Sequence, residues 1–169
     1  MTDLAGFPTY RGHMHYRCLG CGAVYGIDQL HYTCPECRSV LLLEDTTFDH
    51  LLDHAPEEWR AIFDQRAASK DPALRGVFRF YELMAPVLEP GDIVYLGEGQ
   101  TPVIRANKRL QGHIGQPLAF KNDGQNPSAS FKDRGMACAF SYLKSLVRRK
   151  GWDQVLTVCA STGDTSAAA

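Results

Sequence analysis

Four cysteines near the N-terminus have types and spacing that suit metal binding. Two residues separate the members of each pair and twelve separate the pairs, which are Cys18, Cys21, Cys34 and Cys37. Two intervening residues let both thiolates of a turn reach one ion, and two such turns complete a tetrahedral site of four sulfurs. Structural zinc prefers this geometry, so the spacing predicts a closed zinc site that stabilises the fold and performs no chemistry.

Other interpretations of the cysteine cluster stay open at this point. Iron in a rubredoxin-like site uses similar spacing, and a redox-active pair also has two intervening residues. Short apolar or β-branched stretches predict the strands of a zinc-ribbon-like module at 23–25, 31–33 and 40–43. Some modules of this kind bind nucleic acid, but no run of lysine or arginine accompanies this one.

Lys132 is the second candidate for chemistry. It follows a loop of small and polar residues over 122–130, and an apolar stripe at helical spacing predicts a helix over 130–150. Ser130 and Asp133 predict a capping box at the start of this helix. The positive end of the helix dipole disfavours an ammonium group there, and the neutral amine is the nucleophile in Schiff-base chemistry.

The elements around Lys132 must place it beside a ligand. Strands are predicted at 117–121 and 154–159, and a second helix follows the small-residue turn at 160–164. A βαβ unit of this kind joins parallel strands by a right-handed crossover, and ligands bind beyond the carboxyl ends of such strands. We therefore expect Lys132 to face one crevice of a parallel sheet together with Ser161, Thr162 and Gly163.

The rest of the chain divides into segments of different composition. Pro56 and the two glutamates after it predict the start of a helix, and the aromatic stretch at 76–84 predicts a segment that packs on the next domain. We predict an α/β protein in three parts. These are a zinc-ribbon-like module over 1–45, a helical connecting segment over 46–95, and the first part of a parallel-sheet catalytic domain over 96–169.

Four ordered motifs resemble those of the fold-type-II pyridoxal-phosphate enzymes, specifically the threonine synthases. The segment N-P-S-A-S-F-K-D-R-G-M at 126–136 resembles their lysine motif. The segment G-E-G-Q-T-P at 97–102 resembles their glycine-rich threonine-proline motif, and C-A-S-T-G-D-T-S-A-A-A at 159–169 resembles their substrate loop. The aromatic stretch G-V-F-R-F-Y-E-L at 76–83 resembles a segment upstream of these motifs.

The resemblance implies roles for individual residues. Lys132 would bind pyridoxal 5′-phosphate covalently and move protons, Phe131 would pack beside the cofactor, and Asp164 would lie near its phenolic oxygen. The substrate carboxylate would be held by Ser161, Thr162, Gly163 and Thr165. Asp164 departs from the asparagine that many members have, and an ionised aspartate cannot donate a hydrogen bond. The implied reaction converts O-phospho-L-homoserine and water to L-threonine and phosphate.

Composition narrows the expected partners. The 169 residues include 18 Lys and Arg against 19 Asp and Glu, and a net charge of −1 gives no case for nucleic acid or membrane. The expected partner is a small amino-acid substrate, and a homo-oligomer is compatible with the sequence. The N-terminal residues contain no basic and apolar secretory signal, which favours a cytoplasmic protein.

One feature of the family is missing from the sequence. No glycine-rich phosphate loop follows the substrate turn, so we expect an N-terminal portion of a longer enzyme that is inactive alone. Two alternatives to threonine synthase stay open. One is another fold-type-II lyase or dehydratase, and the other is a non-catalytic zinc-binding module.

Overall fold

The N-terminal part of the molecule is a three-stranded antiparallel sheet. The computed structural model describes residues 6, 10–84 and 86–169. The strand order is β2–β1–β3, with β1 at Met14–Cys18, β2 at Val24–Gly26 and β3 at Leu41–Asp45. The predicted strands at 23–25 and 40–43 are confirmed with slightly shifted bounds. The one predicted at 31–33 is wrong, because those residues contain bends and no strand.

Helices and single helical turns follow the sheet. Helix α1 spans Pro56–Ala67 and α2 spans Tyr81–Met84, and Pro56 begins α1 as predicted. The Glu58 carboxylate accepts a hydrogen bond from the Ala55 N–H at 2.8 Å, which satisfies a free donor at the helix start. Tight 3₁₀ turns occupy Phe48–Asp53, Pro72–Leu74, Gly76–Phe80, Pro90–Asp92 and Asp123–Gln125.

The C-terminal part is organised around one long helix, α4, at Lys132–Lys150. Two short strands precede α4 in the chain, β4 at Val103–Arg105 and β5 at Ala119–Lys121, and they pair with each other. Helix α3 at Lys108–Ile114 connects them, and a short helix, α5, follows α4 at Asp164–Ala168. Helix α4 ends at Gly151, whose positive φ of 64° suits the residue after a helix. The helix predicted over 130–150 is therefore confirmed. No helix in the described ranges has the length and apolarity of a membrane span.

The core lies where the aromatic segment, residues 76–84, packs on α4. Phe78, Tyr81, Leu88 and Ala137 form a fully buried cluster there. The Tyr81 hydroxyl donates to the Leu88 carbonyl at 2.9 Å, so burial leaves this polar atom satisfied. Each buried aromatic side chain contributes about 1.5–3 kcal/mol by leaving water. The predicted packing role of the aromatic segment is confirmed.

The predicted parallel βαβ arrangement is wrong for the described part of the chain. Residues 154–159 are exposed and form no strand, and β5 pairs instead with β4 in antiparallel register. A parallel strand depends on neighbouring strands for its hydrogen bonds and for cover on its faces. No backbone hydrogen bond within residues 10–84 and 86–169 reaches this stretch, so its β-branched composition alone does not form a strand.

The start of α4 also differs from the prediction. Asp133 does not pair with Ser130; its carboxylate accepts hydrogen bonds from the Ser128 N–H at 2.8 Å and from the Ser128 hydroxyl at 2.5 Å. Ser130 instead accepts the Lys132 N–H at 3.2 Å. The predicted capping box is therefore wrong. These contacts tie the preceding loop to the first turn of the helix.

Candidate functional site

Lys132 is the first residue of α4 and its side chain is partly exposed. Its Nζ lies 4.8 Å from the centroid of the Phe131 ring, within cation–π range. Over residues 10–84 and 86–169, no hydrogen bond or ion pair engages this amine. The Phe131 ring is itself 58% exposed. A free amine beside an open aromatic face fits covalent attachment of a flat aromatic cofactor.

Buried polar contacts hold the loop before Lys132 in place. Asn126 is buried, and its side-chain oxygen accepts the Gly99 N–H at 3.0 Å. Its amide nitrogen donates to the Asp123 carbonyl at 2.9 Å. Asp133 is also buried and binds Ser128, as described above. The loop at 126–130 is thereby held at both ends. These contacts determine where α4 begins and so where Lys132 lies.

A network around Asp123 joins α4, β5 and the loop before β4, and the sequence analysis did not select it. The Arg134 guanidinium donates to both oxygens of Asp123, at 2.7 and 2.9 Å. The Thr101 hydroxyl donates to Asp123 at 2.8 Å, and it accepts from Arg134 at 3.1 Å and from Lys121 at 2.6 Å. Arg134 and Thr101 both lie within segments that resemble motifs of the family, so the resemblance could have pointed to this network.

The network changes the acidity of its carboxylate. Hydrogen bonds from Arg134 and then from Thr101 lower the pKa of Asp123 to about 2. Both donors stabilise the ionised form, because each loses an acceptor when the carboxylate takes up a proton. Asp123 is therefore a carboxylate that binds and positions Arg134, two residues after Lys132, and is poorly suited to acid–base catalysis at neutral pH.

Asp123 should make the stability of the fold sensitive to acid. A carboxylate with a lowered pKa in the folded state stabilises the protein above its unfolded pKa of about 3.9, and this contribution is lost as the pH falls toward about 2. We expect the unfolding temperature of the wild type to fall more steeply than that of Asp123→Asn between about pH 5 and pH 2. Thermal melts at stepped pH measure this difference.

Asp153→Asn is the matched control for this prediction. Asp153 is exposed and forms no hydrogen bond or ion pair with any residue that the structure describes. It should keep the acid sensitivity of the wild type. Equal pH slopes for wild type and Asp123→Asn would contradict the prediction.

The proposed substrate residues surround the start of α5. Ser161 accepts the Gly163 N–H at 3.3 Å, and the Ser166 hydroxyl donates to the Gly163 carbonyl at 2.8 Å. Thr162, Gly163 and Asp164 are exposed, whereas Thr165 is half-buried. In the part of the chain that the structure describes, no hydrogen bond, ion pair or ring contact joins residues 161–165 to Lys132. A shared crevice therefore stays a prediction.

The four clustered cysteines meet at the end of the N-terminal sheet. Their sulfurs all lie within 4.8 Å of one another, and those of Cys18 and Cys37 are 3.3 Å apart. The sulfurs of Cys21 and Cys34 are 3.6 Å apart. Zinc–sulfur bonds of about 2.3 Å place tetrahedral sulfurs about 3.8 Å apart. The cluster is therefore compatible with a zinc-binding module.

Hydrogen-bond donors surround two of these sulfurs. The N–H groups of Cys21 and Gly20 point to the Cys18 sulfur at 3.5 and 3.3 Å, and the first of these contributes most to lowering the pKa of Cys18. The Tyr25 hydroxyl lies 3.2 Å from the Cys34 sulfur and lowers the pKa of that thiol to about 6. Since the thiolate is the form that binds metal, these donors favour ligation.

Comparison with known proteins gives two findings. Residues 94–169 match the family model described as pyridoxal-phosphate dependent enzyme. The threonine synthase of Methanocaldococcus jannaschii is 37% identical over 155 residues, which cover 91% of this chain and 33% of that protein. The threonine synthase of Methanosarcina acetivorans is 34% identical over 155 residues, which again cover 91% of this chain and 33% of that protein. Threonine synthase 2, chloroplastic, of Arabidopsis thaliana is 33% identical over 147 residues.

The match covers only part of each relative. The chain spans about a third of the length of the first two curated relatives, and the Arabidopsis match covers 85% of this chain and 28% of that protein.

Proposed function

Because residues 94–169 match the family model described as pyridoxal-phosphate dependent enzyme, we propose that this chain carries the cofactor lysine of a threonine synthase. The reaction would convert O-phospho-L-homoserine and water to L-threonine and phosphate. The observation that carries the proposal is the Lys132 amine, which lies at the start of α4 within the lysine motif and forms no hydrogen bond or ion pair with a residue that the structure describes. The likeness to threonine synthases over 91% of the chain supports it.

Lys132 has two tasks in this proposal. Its Nζ holds the cofactor and then takes and returns protons at the substrate carbons. When bound, pyridoxal phosphate supplies an electron sink for carbanion chemistry. Phe131 would pack beside the cofactor ring, and the buried Asn126 and Asp133 keep the start of α4 from shifting. A lysine held by such contacts loses little freedom when it attaches the cofactor.

The turn before α5 has the donors that a substrate carboxylate needs. The hydroxyl and backbone N–H groups of Ser161, Thr162, Gly163 and Thr165 would hold that carboxylate. Asp164 would lie beside the phenolic oxygen of the cofactor, where an ionised carboxylate accepts hydrogen bonds and donates none. The exposure of Thr162, Gly163 and Asp164 supports this role, because their polar groups are accessible to a ligand.

Two measurements test the proposal. The purified chain is mixed with pyridoxal phosphate and reduced with borohydride, and we expect a new absorbance band and a mass increase on the peptide that contains Lys132. The whole enzyme that contains this chain is then assayed for phosphate release from O-phospho-L-homoserine. Ammonia release from serine or threonine without phosphate release would instead identify another lyase or dehydratase. Absence of any adduct on Lys132 would contradict the cofactor role.

The finer assignment of the cysteine cluster is also a proposal. We propose that the four thiolates hold one structural zinc ion, since their separations suit a tetrahedral site and no open position is left for a substrate. All six cysteines are free thiols in the described chain, so the four clustered ones are available as ligands.

Zinc removal should unfold the N-terminal sheet. In small zinc-binding peptides the metal contributes about 10–16 kcal/mol of folding free energy. Native mass spectrometry should find one zinc per wild-type chain and none in Cys34→Ser, and a chelator should lower the unfolding temperature of the wild type. Cys159→Ser removes an exposed thiol outside the cluster and should keep the metal. Retention of zinc by Cys34→Ser would contradict the assignment, and a visible absorbance band in the metal-loaded protein would identify iron.

A further inference from the structure

A cavity of about 420 Å³ lies between the aromatic segment and the start of α4. Its polar wall carries three cationic side chains, Arg79, Lys121 and Arg134. Lys132 is not among the residues that line it. The cavity is therefore not the surroundings of the proposed cofactor amine, although Arg134 follows that lysine by only two positions.

Arg79 brings unpaired donors to this cavity. Its Nε is buried and has no hydrogen-bond partner. None of its other side-chain nitrogens makes a hydrogen bond or ion pair to a residue that the structure describes. The Arg79 guanidinium carbon lies 4.5 Å from the centroid of the Phe80 ring. This contact orients the plane of the guanidinium group and therefore the direction of its N–H donors. Buried donors are nearly always satisfied in folded proteins, and Arg79 lines a cavity that can hold an acceptor.

The other two cations are held in place by protein contacts. Arg134 is bound to Asp123 through two hydrogen bonds, and Lys121 donates to the carbonyl and hydroxyl of Thr101 at 2.5 and 2.6 Å. The carboxylates that act on Arg134 are Asp123, the buried Asp133 and the buried Glu98, which accepts the N–H groups of Val77 and Leu96. None of these three carboxylates lines the cavity, so the charged side chains on its wall are all cationic.

Glycine backbone forms another part of the cavity wall. Gly76 and Gly99 both have positive φ angles, 59° and 86°. A Cβ on Gly99 would lie 3.0 Å from the Gly76 Cα, and a Cβ on Gly76 would lie 1.9 Å from a Glu98 carboxylate oxygen. A side chain at either position would collide with the neighbouring protein segment, so glycine lets the two segments pack closely. This part of the cavity wall is therefore backbone.

We propose that this cavity binds a phosphate-class oxyanion, with Arg79 as the main donor and Lys121 as the second. The arginine fork suits the paired oxygens of phosphate, and lysine adds a compact point charge. A volume of this size accepts a small phosphorylated molecule, and a wall whose charged side chains are all cationic favours an anion. The site goes beyond the proposed function, because none of its donors is Lys132.

Calorimetric titration of the full chain with inorganic phosphate tests the site. We expect saturable binding by the wild type that weakens at least about tenfold in Arg79→Gln, since an arginine–phosphate pair is charge-assisted and bidentate. Lys121→Gln should weaken binding less, and Lys121 is exposed, so this variant should fold normally. Circular-dichroism melts confirm that each variant is folded.

Arg75→Gln is the matched control. Arg75 precedes the same 3₁₀ turn, stacks 5.3 Å from the Tyr95 ring centroid and also has a buried, unpartnered Nε, but it does not line the cavity. Its replacement removes the same charge and should change phosphate binding less than about twofold. Equal losses in Arg75→Gln and Arg79→Gln, or no saturable binding by the wild type, would overturn the proposal.

A second arm identifies the source of the phosphate group. Lys132→Ala should lose the borohydride-trapped adduct and keep inorganic phosphate binding, so failure of the cofactor proposal and failure of this one are distinguishable. If Arg79→Gln loses phosphate binding and keeps the adduct, the site takes a separate phosphate or phosphorylated molecule. If Arg79→Gln loses both, the oxyanion is the phosphate of the cofactor itself.

Discussion

Lys132→Ala should abolish the borohydride-trapped adduct of the chain, and in the whole enzyme that contains this chain it should reduce the proposed phosphate release from O-phospho-L-homoserine by about 10³-fold or more. The variant removes the amine that attaches the cofactor and the group that moves protons, and no other lysine is present in the motif. Fold stability should change little, because the amine has no hydrogen-bond partner among the described side chains and its residue is partly exposed. Peptide mass analysis and a phosphate-release assay measure the two losses.

Two further variants separate the chemistry of the amine from its charge. Lys132→Arg keeps a cation at the start of α4 without a nucleophilic amine, so it should fail in the same way as the alanine variant. Lys144→Ala removes an exposed lysine from the same helix and should leave adduct formation within about twofold of the wild type. An adduct of normal yield in Lys132→Arg would place the cofactor on another residue.

Glu82→Leu should destabilise the protein by about 3–5 kcal/mol, since it leaves the buried Arg66 charge without its carboxylate. The two guanidinium nitrogens of Arg66 each donate to one oxygen of Glu82 at 2.7 Å, and the two residues are only 1% and 4% exposed. The pair joins α1 to α2. Chemical unfolding with urea measures the difference in the free energy of unfolding.

A double variant and a surface control complete this experiment. Replacing both partners, with Arg66→Met and Glu82→Leu together, should recover much of the stability because no buried charge then lacks a partner. Glu57→Gln breaks an exposed pair with Arg60 on the same helix, 3.8 Å apart, and should cost less than about 1 kcal/mol. A loss for Glu82→Leu as small as that for Glu57→Gln would contradict the prediction.

The Arg66–Glu82 pair is connected to the cavity through Arg79, which lines it. Arg66 donates a hydrogen bond to the Arg79 carbonyl at 3.2 Å. The backbone of Arg79 is thus attached to the Arg66–Glu82 pair. Loss of the pair should shift Arg79 and weaken phosphate binding together with stability.

Local patterns were sufficient for several features. The spacing of the four cysteines requires only two tight turns, and the structure brings their sulfurs together. Helix α4 follows from an apolar stripe of period 3.6 and a terminal glycine, both of which act within a few residues. The lysine motif likewise places Lys132 at a helix start. Each of these depends on contacts between residues close in sequence.

Other features depended on partners distant in sequence. Strand β1 alternates apolar and polar residues over Met14–Cys18, but it is only five residues long and was not predicted. Its hydrogen bonds come from the two neighbouring strands. Residues 154–159 have a strand-like composition but find no such neighbour in the described structure. Propensity for β-structure is weak without pairing, so composition alone was misleading for residues 154–159.

By itself, the sequence determined the cysteine site, the helix that begins at Lys132 and the family likeness, since all three lie in short contiguous motifs. The tertiary structure alone decided the antiparallel pairing of β4 with β5, the Arg66–Glu82 pair and the cavity lined by Arg79. The partners of the buried ion pair are 16 positions apart, and the residues that line the cavity lie up to 58 positions apart. Whether such groups meet depends on how the whole core packs, and no local pattern encodes that.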